Sequence, residues 1–128
     1  MAVVKAQGET VLVVDDDADI RSMVQETLQG LGYKVLVGAG SQDALRLAEA
    51  HTGPLHLLVT DVVMPDLSGK ELSERVHAKH PQGKVLFMSG YTNNVMLEHG
   101  VNWGKLAFIE KPFTPAGLAR KAREVLGG

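Results

Sequence analysis

The stretch that most constrains this chain is residues 57–69, LLVTDVVMPDLSG. Leu57, Leu58, Val59 and Thr60 favour extended structure without polar alternation, and they end at a carboxylate, Asp61. A short apolar run of this kind reads as a strand buried on both faces, as found inside a parallel sheet. Parallel sheets gather ligands outside the carboxyl ends of their strands, which is where Asp61 falls. Pro65 and Gly69 then mark a loop, and Ser68 with Glu71 has the S-x-x-E spacing of a capping box opening a helix. Asp at a strand end can also serve only to cap a turn. What the other strand ends carry therefore decides the matter.

Residues 10–14 (TVLVV) predict a first buried strand running into Asp15, Asp16 and Asp17. Asp17 is placed to cap a helix that carries Ile20, Met23, Val24, Thr27, Leu28 and Leu31 on one face and stops at Gly32. Residues 34–37 predict a second strand, broken by Gly38 and Gly40, after which Ser41 is expected to cap a helix that ends by Gly53 and Pro54. The helix opened by Ser68 runs to about Lys79, and residues 84–89 (KVLFMS) predict the fourth strand. Residues 94–99 are expected to form a short helix, and residues 106–110 (LAFIE) the fifth strand. Thr114 and Pro115 start the last helix, with Pro at its first position.

Five βα units with short connections predict a parallel sheet covered by helices on both faces. The strand order expected for five strands is 2-1-3-4-5, which puts Asp15 and Asp16 beside Asp61 at the switch point. With 128 residues the chain is expected to be one domain, residues 10–126, with tails at 1–9 and 127–128. Thirteen basic residues against 15 acidic ones leave a formal charge of −2, which indicates no direct nucleic-acid surface. The absence of cysteine excludes disulfides, thiolate metal sites and cysteine nucleophiles. No apolar run approaches the roughly 20 residues that span a bilayer, and MAVVKAQGE lacks the layout of a signal peptide. A cytoplasmic location is expected.

Three carboxylates at one sheet edge repel one another, and a cation relieves that repulsion. Oxygen-only ligands without nearby His or Cys favour Mg2+ over zinc or copper, with Mn2+ the alternative. Mg2+ takes one or two carboxylates and shares its remaining shell with water and a phosphoryl group. A carboxylate can itself attack phosphorus, and the phosphoryl oxygens then need positive charge and hydrogen-bond donors. Lys111 after the fifth strand supplies the charge, and Ser89 at the end of the fourth supplies a hydroxyl.

The set VLVVDDD, LLVTDVVMPDLSG, VLFMSGY and AFIEKPF resembles the receiver domain of two-component response regulators, over about residues 10–126. The resemblance implies the flavodoxin-like (βα)5 three-layer sandwich; the chemotaxis member of that family is itself a standard example of the 2-1-3-4-5 order. It makes Asp61 the phosphoacceptor. Asp15 and Asp16 become the acidic pair for Mg2+, with Asp16 favoured as the direct ligand and the Val63 carbonyl as a third. Ser89 takes the hydroxyl position that follows the phosphoryl group, and Phe108 the switch position, often Tyr in this family. Lys111 takes the lysine position, and Lys111-Pro112 is where the family places a cis peptide. Val63 and Tyr91 occupy the two positions that line the approach of water to the acyl phosphate.

SGYTNN and the final FIEKPFTPAGLARKAREVL resemble the receivers of hybrid sensor histidine kinases, and a stand-alone response regulator is the alternative. The implied partners are a histidine kinase or phosphotransfer domain as donor. A homodimer or partner contact is expected through the short helix at 94–99, the strand at 106–110 and the last helix. Such a domain catalyses only its own phosphorylation and dephosphorylation, so it is not expected to be an enzyme by itself.

A phosphatase of the haloacid dehalogenase type is the enzyme rival. Asp15 and Asp17 give its D-x-D spacing, but Asp19 stands where that family expects Thr or Val. A flavin mononucleotide binder of the same topology needs an uncharged phosphate loop after the first strand, and Asp15, Asp16 and Asp17 would repel a phosphate there. A degenerate receiver that only docks is opposed by the intact aspartates, Ser89 and Lys111. His77 and His80 read as a solvated face lacking a third ligand, and Trp103 as either a partner contact or loop packing.

Overall fold

The computed structural model describes residues 6–90 and 107–127. Its five strands are β1 (Thr10–Val14), β2 (Lys34–Gly38), β3 (Leu57–Asp61), β4 (Lys84–Ser89) and β5 (Ala107–Glu110). They form one sheet in the order β2-β1-β3-β4-β5, and every pairing is parallel. The helices are α1 (Ala18–Gly30), α2 (Ser41–Ala50), α3 (Gly69–Lys79) and α4 (Pro115–Leu126). The helix expected between β4 and β5 lies outside the described residues.

The core shows why β1 and β3 lack alternation. Val11, Val13, Leu57, Val59, Leu86 and Met88 face one cluster, closed by Val24 and Leu28 of α1 and by Leu118 and Ala122 of α4. Leu12, Val14 and Leu58 face the other, closed by Ala44 and Ala48 of α2 and by Leu72 and Val76 of α3. Successive strand residues point to opposite faces, so a strand covered on both is apolar along its centre, with Thr10, Thr60 and Asp61 the polar residues at the strand ends. All five residues of β1 and of β3 are buried. Each large side chain so buried is worth about 1.5–3 kcal/mol, which makes these two strands the anchor of the sheet.

Helix ends follow local chemistry, with one exception. Asp17 caps α1 by accepting from the amides of Asp19 and Ile20, and Gly32 follows its end at φ 98°. Ser68 caps α3 by accepting from Glu71 N, and Thr114 caps α4 by accepting from Gly117 N. At α2, Ser41 is the first helical residue and not its cap. Gly40 occupies the cap position and has no side chain to offer.

The stretch 6–9, expected as part of a tail, is held against the domain. Ala6 N donates to Leu31 O at 2.9 Å, and Glu9 pairs with Arg123 of α4 at 2.6 Å. Arg123 also donates to the Tyr33 hydroxyl at 3.4 Å. No helix among the described residues is long and apolar enough to cross a membrane.

Candidate functional site

Register carries the functional residues to one edge. Val14 pairs with Thr60, Asp61 with Met88, and Ser89 with Glu110. Asp15, Asp61, Ser89 and Lys111 therefore all end or follow strands at the same carboxyl edge. The β1–α1 turn folds Asp15 inward, because its Oδ1 accepts from Asp17 N at 2.9 Å and its carbonyl accepts from Arg21 Nη1 at 2.7 Å. Asp15 is fully buried, Asp61 nearly so, and Asp16 is exposed.

One carboxylate oxygen from each of Asp15, Asp16 and Asp61 lies within 4.8 Å of the others. Two like charges at that distance repel by about 3–4 kcal/mol at an effective dielectric near 20. Lys111 offsets part of this, with Nζ 2.8 Å from Asp15 Oδ2 and 3.5 Å from Asp61 Oδ2. Asp61 Oδ1 accepts from Val62 N at 2.9 Å. Burial, aided by the charges of Asp15 and Asp16 and opposed by Lys111 and the Val62 amide, holds the Asp61 carboxyl up at about 6. Burial alone would lower the Lys111 ammonium, but its hydrogen bond to Asp15 and the charges of Asp61 and Asp15 raise it above the ordinary lysine value. A cluster of hard oxygen donors still carrying net negative charge suits a small divalent cation.

Gly69 is needed for a steric reason. A Cβ there would stand 2.2 Å from the Asp61 carbonyl oxygen, so α3 can start this close to the acidic strand end only on a glycine. Its amide donates to Val62 O at 2.8 Å and closes the loop after Asp61. Val63 in that loop is half-buried and packs against the buried pair Val62 and Phe87, as does Phe108. Ser89 is fully buried one residue beyond the partner of Asp61, and its carbonyl accepts from Lys111 N at 2.7 Å. Phe108 lies opposite Phe87 on β5 and is half-buried. The Lys111–Pro112 peptide bond is cis. Tyr91 and Trp103 fall outside the described residues.

The described histidines lie elsewhere. His51 and His80 have ring centroids 6.0 Å apart, and His80 Nε2 lies 2.8 Å from Ala48 O. His56 Nδ1 accepts from Thr10 N at 3.0 Å, at the opposite end of the sheet from Asp61. Among the described residues only Asp15, Asp16 and Asp61 converge as three metal-ligating groups.

Two contributors were not anticipated from sequence. Arg21 holds the Asp15 carbonyl, and Asp66 accepts from Ser41 N and Gln42 N at the start of α2. Burial would raise the Asp66 carboxyl, but the amides of Gln42, Leu67 and Ser41 outweigh it and hold the group below the usual carboxylate range. The local signal for this was the capless Gly40; its distant partner has none.

Residues 11–123 match the family model of the response regulator receiver domain. The chain is 34% identical over 117 residues to the sensor kinase CckA of Brucella abortus, covering 91% of this chain and 12% of that protein. It is 35% identical over 106 residues to the DNA-binding transcriptional regulator NtrC of Rhizobium meliloti, covering 83% of this chain and 22% of the relative. Thus the chain spans a small part of either relative's length. Among solved structures, the chemotaxis protein CheY4 of Vibrio cholerae superposes with a TM-score of 0.80 at 30% identity, covering 92% of this chain and 98% of that one. The receiver domain of the hybrid histidine kinase CckA superposes at 0.77 and 30% identity, covering 91% and 98%. The parallel sheet order, the acidic strand ends with their lysine, and a family match running nearly end to end lead to one conclusion: this chain belongs to the response regulator receiver domain family.

Proposed function

We propose that Asp61 is the phosphoacceptor of a two-component relay and that Asp15 and Asp16, with the Val63 carbonyl, hold Mg2+ or Mn2+ beside it. The carrying observation is Lys111 Nζ set between Asp15 and Asp61, at 2.8 and 3.5 Å, in a cluster of three carboxylates. An Asp61 oxygen attacks the phosphorus of a donor phosphohistidine. A P–O bond forms as the P–N bond breaks, and the leaving imidazole keeps the electron pair and takes up a proton. The metal, when bound, draws off phosphoryl charge. Lys111 places a fixed positive charge against the same oxygens, and the Ser89 hydroxyl donates to one of them.

The chain catalyses only its own phosphorylation and dephosphorylation and acts as a domain of residues 10–126 in a cytoplasmic relay. A histidine kinase or phosphotransfer domain is the donor, and the likeness to the CckA receiver favours a hybrid kinase as parent. Ser89 and Phe108 carry the switch by moving together when the phosphoryl group arrives, altering the surface around β5 and α4 that a partner or second copy reads.

Incubation with Mg2+ and acetyl phosphate, followed by intact-mass measurement, tests the assignment. The native chain gains one phosphoryl group and Asp61→Asn gains none. Equal labelling of both would refute Asp61 as acceptor.

A further inference from the structure

Helix α2 begins without a cap of its own, since Gly40 has no side chain and its backbone is fully extended. The amides of Ser41 and Gln42 would be left without acceptors. Both are taken by one distant carboxylate: Asp66 Oδ1 accepts from Ser41 N at 3.3 Å and Oδ2 from Gln42 N at 2.9 Å. A negative charge at this end also suits the helix dipole. The contact is reciprocal. Ser41, fully buried, donates its hydroxyl to Leu67 O at 2.7 Å and lies 3.7 Å from the Met64 sulfur. Three successive parts of the loop after Asp61, at Met64, Asp66 and Leu67, are thus held by the first turn of α2. The far end of that loop is closed by Gly69 N on Val62 O.

We propose that Asp66 and Ser41 are positioning residues for the phosphorylation site, latching the β3–α3 loop to α2 so that its backbone stays in place beside Asp61. This rests on the reading of Asp61, Asp15 and Asp16 as the metal and phosphoryl site. Neither latch residue belongs to the acidic cluster; each acts through the loop that carries Val63. The latch also links α2 to the acceptor, so a perturbation at the start of α2 reaches the metal ligands through two hydrogen-bonded residues.

The experiment must separate positioning from mere helix capping. Asp66→Ala removes both roles, whereas Asp66→Ala with Gly40→Ser restores a local cap to α2 and leaves the loop unlatched. The extended backbone at Gly40 accepts a serine, and an added Cβ there meets only the Asp66 carboxylate, at 3.5 Å. Mg2+ affinity by calorimetry, thermal midpoint in chelator, and amide exchange of residues 62–69 are measured for the native chain and both variants. Asp66→Ala is expected to weaken Mg2+ binding by about fivefold to tenfold, equivalent to about 1.0–1.4 kcal/mol, and to speed loop exchange. The double variant recovers the midpoint but not the affinity or the protection, and Ser41→Ala shifts affinity in the same direction. If Asp66→Ala binds Mg2+ as tightly as the native chain, or if Gly40→Ser restores affinity together with midpoint, Asp66 is only a helix cap and the proposal falls. A native chain that binds no Mg2+ would instead overturn the site reading, and the latch proposal with it.

Discussion

Replacing Glu9 by Gln tests the buried pair that ties the entry of β1 to α4. Glu9 and Arg123 are 8% and 7% exposed, and their atoms meet at 2.6 Å. The hydrogen bond from Arg123 lowers the Glu9 carboxyl from 4.5 to about 2 against the opposing effect of burial, with the Gln7 amide helping. A group whose pKa is depressed by folding stabilises the fold above its unfolded value and loses that contribution as pH falls through the folded one. Here the contribution is complete above about pH 4.5 and fades toward pH 2. The full shift corresponds to about 3 kcal/mol, and screening of a pair this near the surface reduces it to about 1–2 kcal/mol. Glu9→Gln also leaves the Arg123 charge under cover without its partner, and the Arg123 Nε has no hydrogen-bond partner among the described residues in any case. Removing one member of a fully buried pair costs about 3–5 kcal/mol, so a loss of about 2–3 kcal/mol at neutral pH is expected. Urea denaturation of both proteins over a pH series should show this gap narrowing steadily from about pH 4.5 toward pH 2, as Glu9 takes up its proton in the unfolded chain while the folded chain keeps it ionised. A gap that stays constant down to the acid end would refute the electrostatic account and leave packing as the cause.

Three further outcomes follow from the site. Gly69→Ala forces a methyl group against the Asp61 carbonyl; it should cost about 2 kcal/mol or more in urea denaturation and abolish labelling by acetyl phosphate. Lys111→Met leaves the fully buried Asp15 without its cation, so stability in chelator should fall by about 3 kcal/mol or more and labelling slow by at least about tenfold. Val63→Asn with Tyr91→Glu supplies an amide and a carboxylate to hold the attacking water, where Val63 and Tyr91 offer neither; decay of phosphorylated protein should accelerate about tenfold, equivalent to about 1.4 kcal/mol.

The parts of this protein legible in its sequence are those whose cause is local. The runs 10–14 and 57–61 could be recognised as doubly buried strands because both faces of the sheet are covered, so apart from Thr10 and Thr60 each is apolar up to the aspartate that ends or follows it. Thr114 with Pro115, and Ser68 ahead of Glu71, marked helix starts because the capping atom and the amide it serves are three residues apart. The acidic cluster was legible one step further out, because strand order and shared register put Asp15 beside Asp61 once both strands were placed.

What escaped reading depends on contacts between distant residues. Ser41 looks like an N-cap by residue type, yet it is already helical, and the true acceptor for its amide is Asp66, 25 positions away. Glu9 looks like the end of a tail, yet it is held by Arg123, 114 positions away. Gly69 reads as an ordinary loop glycine until the Asp61 carbonyl is seen occupying the space of its missing Cβ. In each case the residue type is compatible with a common local role, and only the packed fold shows that its partner is remote. Two of the three, Gly69 and the pair of Asp66 with Ser41, converge on the loop after Asp61. That convergence follows from the chemistry assigned to the site. Strands can bring carboxylates to one edge, but the proposed use of the Val63 carbonyl beside them requires an irregular segment to be held still. A loop has no ladder of its own to do this, so the restraint has to come from a neighbouring helix start and from a glycine that permits close approach.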